Sequence, residues 1–432
     1  MAKRRLKRKF RVFLYRLRAL LFLGIFAFAI IYFLKLVFTN NYIENINYND
    51  GVLDITLKED NISCILSDKE PNEQDNWISS NNKVCSLKLD KIYNTLYLKK
   101  DNKKIKNKET YFKIKENDKT YLSLNEKYNY FYYLIGNINK IKIKIEDSSI
   151  INIDSGIINA KKVGQTKVTF NYKDYNYETN IIVTDLLSSR DNYENKESLT
   201  CNKYNENEEK ILDEILKQKI NNVGYKTRAG VVEAARFLTL DFPYKINYFY
   251  ENGRQTTNNV DGEGRYYHTG LYLTENKFDS LTGSSYTANK APWGCKIYSY
   301  PISKKDDNGL DCSGFVSWAL LNGGFDVKDV GAGWSDKEDL TDFGEVMKLT
   351  KENSNDSKIK VGDLLHSEKL GGHIAIIIGK DKEYYYVAQA IWFDEVGVVV
   401  TKFKIDELYK EFPHVILMEE YYKNDGYLTN MW

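Results

Sequence analysis

The order of apolar and polar positions changes character several times along the chain. Ala19 to Leu34 is a run of sixteen residues without a charge; Lys35 interrupts it and Leu36-Val37-Phe38 resume it. With Lys35 snorkelling to an interface, 19–38 reaches about 20 residues, the length that spans a bilayer core. From Tyr42 onward the period becomes two. Val52-Leu53-Asp54-Ile55-Thr56-Leu57, Cys85-Ser86-Leu87-Lys88-Leu89-Asp90 and Ile141-Lys142-Ile143-Lys144-Ile145 alternate, and Asn/Asp-rich segments separate them. This predicts short strands joined by turns. Residues 186–205 lose the pattern and read as a polar linker.

Helical spacing follows. Ile211, Leu212, Ile215 and Leu216 form one edge of a helix over 207–220, and Val231, Val232, Ala235 and Leu238 one side of a helix over 228–240. A third helix opens at Asp311, a good N-cap, carries Phe315, Val316, Ala319 and Leu320 as its stripe, and stops at Gly323-Gly324. Beyond Gly371-Gly372-His373, the run Ile374 to Ile378 predicts a buried strand. Gly379 to Glu383 reads as a turn and Tyr384 to Trp392 as the returning strand.

Charge adds a direction. Residues 1–35 hold ten Lys and Arg and no acid, nine of them in the basic tail 1–18, so the remainder carries a balance of −8. A body of that balance is a poor nucleic-acid binder. No Lys or Arg occurs from Leu36 to Leu57. The positive-inside rule then makes 19–38 a single-pass anchor with 1–18 in the cytoplasm and everything after residue 38 outside. The competing reading is a cleaved signal peptide, but Thr39-Asn40-Asn41-Tyr42 contains no small-x-small cleavage site. Five cysteines without C-x-x-C spacing and four scattered histidines imply no metal, and no phosphate loop implies a nucleotide, so no cofactor is expected.

The chemistry centres on Cys312, the first residue of the third helix. There the helix dipole and unsatisfied N–H groups favour the reactive thiolate. Thiol catalysis also needs a base and a group to orient it. His373 sits where a glycine loop meets an apolar strand. If the hairpin is centred on Asp381, residues whose numbers sum to 762 lie opposite one another, and Gln389 faces His373. Its amide oxygen would accept the imidazole N–H and fix the tautomer.

Asp311-Cys312-Ser313-Gly314, Gly362-Asp363-Leu364 and Gly372-His373 before an apolar strand ending in Gly379 together resemble the NlpC-type cysteine peptidases of bacterial cell walls, over roughly the last half of the chain. The resemblance implies an α+β papain-like domain over 206–432, an antiparallel sheet packed on a nucleophile-bearing helix. It implies substrate-binding or oxyanion-lining roles for Asp311, Ser313 and Tyr244, with the Cys312 N–H as an oxyanion donor. The family more often has His where Gln389 stands. Family members run quickly from Pro-Tyr to Trp-Gly-Gly. Here about fifty residues lie between Pro243-Tyr244 and Trp293-Gly294-Cys295, most of the insertion 247–305, and Cys295 stands where the family has Gly.

Upstream, 42–105 looks like a small immunoglobulin-like β module, in which Cys64 and Cys85 either pair in an oxidising compartment or stay as two thiols. Residues 106–185, with Ser148-Ser149-Ile150 and Val163-Gly164-Gln165-Thr166, resemble bacterial immunoglobulin-like domains of group 2, which act as spacers or weak adhesins. The expected fold class is thus an α+β papain-like domain preceded by all-β immunoglobulin-like modules and one N-terminal transmembrane helix. The expected function is a peptidoglycan hydrolase cleaving a peptide or isopeptide bond of the stem peptide. The alternatives are a CHAP-type N-acetylmuramoyl-L-alanine amidase or a non-enzymatic surface adhesin. Expected partners are the stem peptide, the membrane through the N-terminal helix, and cell-wall, divisome or secretion-machinery proteins.

Overall fold

A computed structural model of the chain describes residues 24, 42–49, 51–89, 95–199, 206–248, 269–271, 296–299, 304–307, 309–327, 330–332, 339–368, 372–392 and 397–432. The chain divides into two units, Met1–Tyr111 with Tyr133–Asn137, and Phe112–Tyr132 with Ile138–Trp432.

In the first unit the period-two stretches become strands with one buried face. Leu53, Ile55 and Leu57 are fully buried while the residues between them are half-exposed. One sheet has the order Ile43–Asn49, Val52–Leu57, Val84–Lys88, and the other Ile78–Ser79, Ile62–Leu66, Leu96–Lys100, Lys103–Lys106. A Cys64–Cys85 disulfide joins one sheet to the other.

The second unit opens with a four-stranded sheet whose edge strand is β1 (Lys119–Ser123), parallel to Tyr175–Thr184. Three helices follow: α1 (Glu206–Val223), α2 (Arg228–Arg236) and α3 (Cys312–Asn322). Helix α2 continues into a single π turn, Phe237–Asp241. The strands β2 (Glu345–Lys348), β3 (Leu364–Ser367), β4 (His373–Lys380), β5 (Tyr384–Ile391), β6 (Gly397–Lys404) and β7 (His414–Leu417) form an antiparallel sheet in the order β2-β7-β3-β4-β5-β6.

The two faces of this sheet serve different cores. Leu364, Ile374, Ile376, Ile378, Ala388 and Ala390 pack with the helices, against Val231, Ala235, Phe315 and Ala319. Leu365, Ala375, Ile377, Tyr385 and Val387 face the other way, against Leu408 and Phe412. Two groups of buried charges are paired, which offsets the cost of taking a charge out of water. Arg228, wholly buried at the start of α2, donates to Asp363, Glu419 and Asp425 and lies over the Tyr422 ring. Within the stretch read as a linker, Arg190 donates to Asp241 and Glu233, and Lys196 to the carbonyls of Thr239 and Phe242. Gln218 of α1 holds β1 at both backbone groups of Tyr121, accepting from its N–H at 2.7 Å and donating to its carbonyl at 2.9 Å.

Two expectations are corrected here. The fold class is not the one expected: strand makes up 41% of the chain against 22% helix, so the molecule is predominantly β. Nor is any helix among the described residues long and apolar enough to cross a membrane, and the single-pass membrane localisation is not retained. The longest described helix, α1 with 18 residues, is studded with Glu and Lys on the side away from its apolar edge. The stretches 1–18 and 19–38 lie, apart from Gly24, outside the described residues.

Candidate active site

Helix α3 begins as its sequence demands. Asp311 is its N-cap, and its Oδ1 accepts from the Gly314 N–H at 2.8 Å. The Ser313 hydroxyl donates to the same carboxylate at 3.2 Å, and both side chains are buried. Two of the three residues expected to bind substrate, Asp311 and Ser313, are therefore turned onto the helix cap. Further along, Trp318 Nε1 donates to the Gly270 carbonyl and the Asn322 side chain accepts from the Gly270 N–H. Leu271 N–H donates to Asp213. These bonds fasten the one described piece of the insertion 247–305 that touches α3. The rest of that insertion, apart from short strand segments, and with it Cys295, lies outside the described residues.

Cys312 is the first helical residue and is partly exposed. Its Sγ lies 3.9 Å from the carbonyl oxygen of Gly372. The N–H groups of Ile374 and Ser313 point at the sulfur and favour the thiolate, but burial and the Asp311 charge outweigh them and push the thiol up to about 12. The helix start does not by itself activate this cysteine, because burial disfavours the thiolate and the cap that starts the helix adds a carboxylate beside it.

His373 opens β4 directly after Gly372, whose φ of +80° lies in the left-handed region that favours glycine. Peptide groups on either side of this histidine thus flank the Cys312 sulfur. The imidazole lies on the face of the sheet shared by Ala375 and Ile377, stacked on Phe412 with ring centroids 5.9 Å apart. Its Nε2 meets Gln389 Oε1 at 2.7 Å, and Gln389 Nε2 donates to Thr401 Oγ1 at 2.8 Å. An amide oxygen only accepts, so Nε2 carries the ring proton and Nδ1 is left as the basic nitrogen. Burial lowers the basicity of His373 and His366 repels its charge, while the Gln389 bond works in the opposite sense.

The contact between His373 and Gln389 arises from a register different from the one expected. Ile376 pairs with Ala388 and Ile377 with Val387, a sum of 764 rather than 762. A bulge between Ile377 and Gly379 adds one more residue toward the turn, where Lys380 pairs with Tyr385. Gln389 is therefore diagonal to His373 rather than opposite it. The slip is two residues, an even number, so the side chains stay on one face and within reach.

Tyr244 is half-buried, edge-on to Phe242 at 6.0 Å, and packs against the core that also underlies Cys312. His366 is buried and its Nε2 donates to the Ala332 carbonyl at 3.0 Å. Thr401 and Phe412 escaped the sequence reading. Thr401 follows the run Val398-Val399-Val400 and shows only as one polar residue in a strand. Phe412 comes from a short helical segment far along the chain.

No family model matches the chain, and no curated protein matches it. Among solved structures, a tandem pair of immunoglobulin domains of titin matches 31% of this chain and 86% of its own length, at 12% identity and a TM-score of 0.14, a likeness too slight to carry an argument.

Proposed function

We propose that this chain is a peptidoglycan hydrolase resembling the NlpC-type cysteine peptidases, cleaving a peptide or isopeptide bond of the wall stem peptide. The observation that carries the reading is the Nε2 to Oε1 bond of 2.7 Å, which leaves Nδ1 of His373 as base in the residue flanked by the two peptide groups around the Cys312 sulfur. In the resting site, burial favours the uncharged form of both groups. Proton transfer to Nδ1 therefore accompanies attack of Sγ on the carbonyl carbon. As the imidazolium forms, Gln389 Oε1 keeps hold of its Nε2–H. The Cys312 N–H, at the start of α3, is a donor for the developing oxyanion. The C–N bond breaks as Nδ1 returns the proton to the leaving amine. Water then attacks the thioester, His373 takes its proton, and the sulfur recovers it as the acid leaves.

The test is mass spectrometry of purified wall fragments after digestion by the full chain and by Cys312→Ala. New ends within the stem peptide, absent with Cys312→Ala, are the expected result. Ends between sugar and peptide would make the chain an amidase. No new ends from a folded wild-type chain whose Cys312 resists alkylation would leave a wall-binding protein instead of an enzyme.

A further inference from the structure

The orienting group here is an amide, and an amide has two ends. Only the oxygen end serves a base whose Nδ1 must be free. Were the amide turned over, its N–H would donate to Nε2, and the ring proton would move to Nδ1, the nitrogen that the hydrolase reading needs as the base. Something must therefore give the amide nitrogen a better partner than the imidazole.

We propose that Thr401 is that partner, a positioning residue whose hydroxyl accepts from Gln389 Nε2 and, by satisfying that N–H, lets the oxygen stay on His373. The proposal rests on the hydrolase reading above. Three adjacent strands supply the relay: His373 on β4, Gln389 on β5, Thr401 on β6. Gln389 pairs with Val399, so Thr401 lies diagonal to it, just as Gln389 lies diagonal to His373. Diagonal neighbours on one face are within reach of long side chains, and both links are short, 2.7 Å and 2.8 Å. Gln389 is 5% exposed, so its amide depends mainly on protein partners.

Burial decides what happens when the acceptor goes. In Thr401→Val the amide either keeps its oxygen on His373 and buries an N–H without an acceptor, or turns over and buries an under-satisfied carbonyl. A buried orphan N–H is the rarer and costlier of the two. The amide turns over, and the ring proton follows to Nδ1.

The chain has four histidines, which makes selective ¹⁵N labelling of their rings practical. The His373 signals are assigned by their loss in His373→Gln. In the wild type, Nε2 is expected to show the protonated shift and Nδ1 the unprotonated one. Thr401→Val exchanges them and lowers kcat by at least about tenfold, with KM within about twofold. Thr401→Ser keeps the hydroxyl and restores the wild-type shifts and most of kcat. A second arm uses Gln389→Glu, whose carboxylate has no N–H to satisfy. In that background Thr401→Val changes kcat by less than about twofold. His373 keeping its proton on Nε2 in Thr401→Val overturns the proposal, as does an equal kcat loss in both backgrounds. The ring shifts are read without turnover. A chain that fails to cut wall fragments yet exchanges its shifts would refute the hydrolase reading and keep this one.

Discussion

Arg228→Met removes the centre of the buried charge cluster in the second unit, and its cost can be worked from the contacts. The guanidinium donates to Asp363 Oδ1 at 2.6 Å, Val361 O at 3.3 Å, Glu419 at 2.9 Å and Asp425 at 2.9 Å. Glu419 and Asp425 are half-exposed, so losing them costs ~0–1 kcal/mol each. Asp363 is wholly buried, and a buried carboxylate stripped of its cation costs about 3–5 kcal/mol. Its remaining bonds, from the N–H groups of Lys360 and Met418, favour the lower end of that range. The loss has a pH signature. Burial already pushes the Asp363 carboxyl up, with Arg228 as the main opposing pull. Without Arg228 the folded-state value rises further above the unfolded one. Stability of the variant then falls as pH rises, and its deficit is smaller in mild acid than at neutrality. Urea unfolding followed by tryptophan fluorescence at about pH 4.5 and about pH 7.5 measures both effects. A loss under about 1 kcal/mol, or one equal at the two pH values, refutes the reasoning.

Two other predictions follow from features on opposite sides of the unit boundary. Gln389→Glu puts a negative charge on His373 and raises its basicity, so the acid limb of kcat/KM moves to higher pH; in the wild type that limb lies below the usual imidazole value of about 6.5, because burial lowers His373. A pH profile with an unmoved limb counts against the His373–Gln389 contact in solution. Replacing Cys64 and Cys85 together by Ala destabilises the first unit by roughly 3 kcal/mol, for a sequence separation of 21. Calorimetry should show the transition of the first unit lowered, and a transition at the wild-type temperature would mean the crosslink does not form.

What the sequence made legible was chemistry at helix and strand starts; what it hid was register and distant partners. The stripe of α3, its Asp311 cap and the glycine before His373 are local matters, governed by residues three or four apart, and a single sequence displays them. The β4–β5 pairing is not local in that sense. It depends on where the turn closes, and Asp381 closes it late by accepting from the N–H groups of Glu383 and Tyr384. The extra residue at the Ile377/Gly379 bulge leaves no mark in the apolar pattern. Gln389 was found on the right face through parity alone, with the wrong opposite neighbour. Asp363 shows the converse: the motif drew the eye to it, but only the fold reveals that it answers Arg228, 135 residues away. The dipole argument for a Cys312 thiolate counts the helix alone; burial first, and then the cap's own charge, oppose it in the fold.

The hold of Gln218 on Tyr121 bears on how the protein should be cut for study. Strand β1 ends its sheet, and the Gln218 amide occupies both backbone hydrogen-bonding groups of Tyr121, the middle residue of that edge. A fragment starting at residue 206 would keep Gln218 and discard its partner. It would also lose Arg190 and Lys196, leaving Asp241 buried with fewer cations and the carbonyls closing the π turn without a donor. Sticky, poorly behaved preparations are the outcome to expect from that boundary. A fragment beginning before Tyr111 keeps the strand, the fasteners and the site together, and carries Tyr133–Asn137 of the first unit with them.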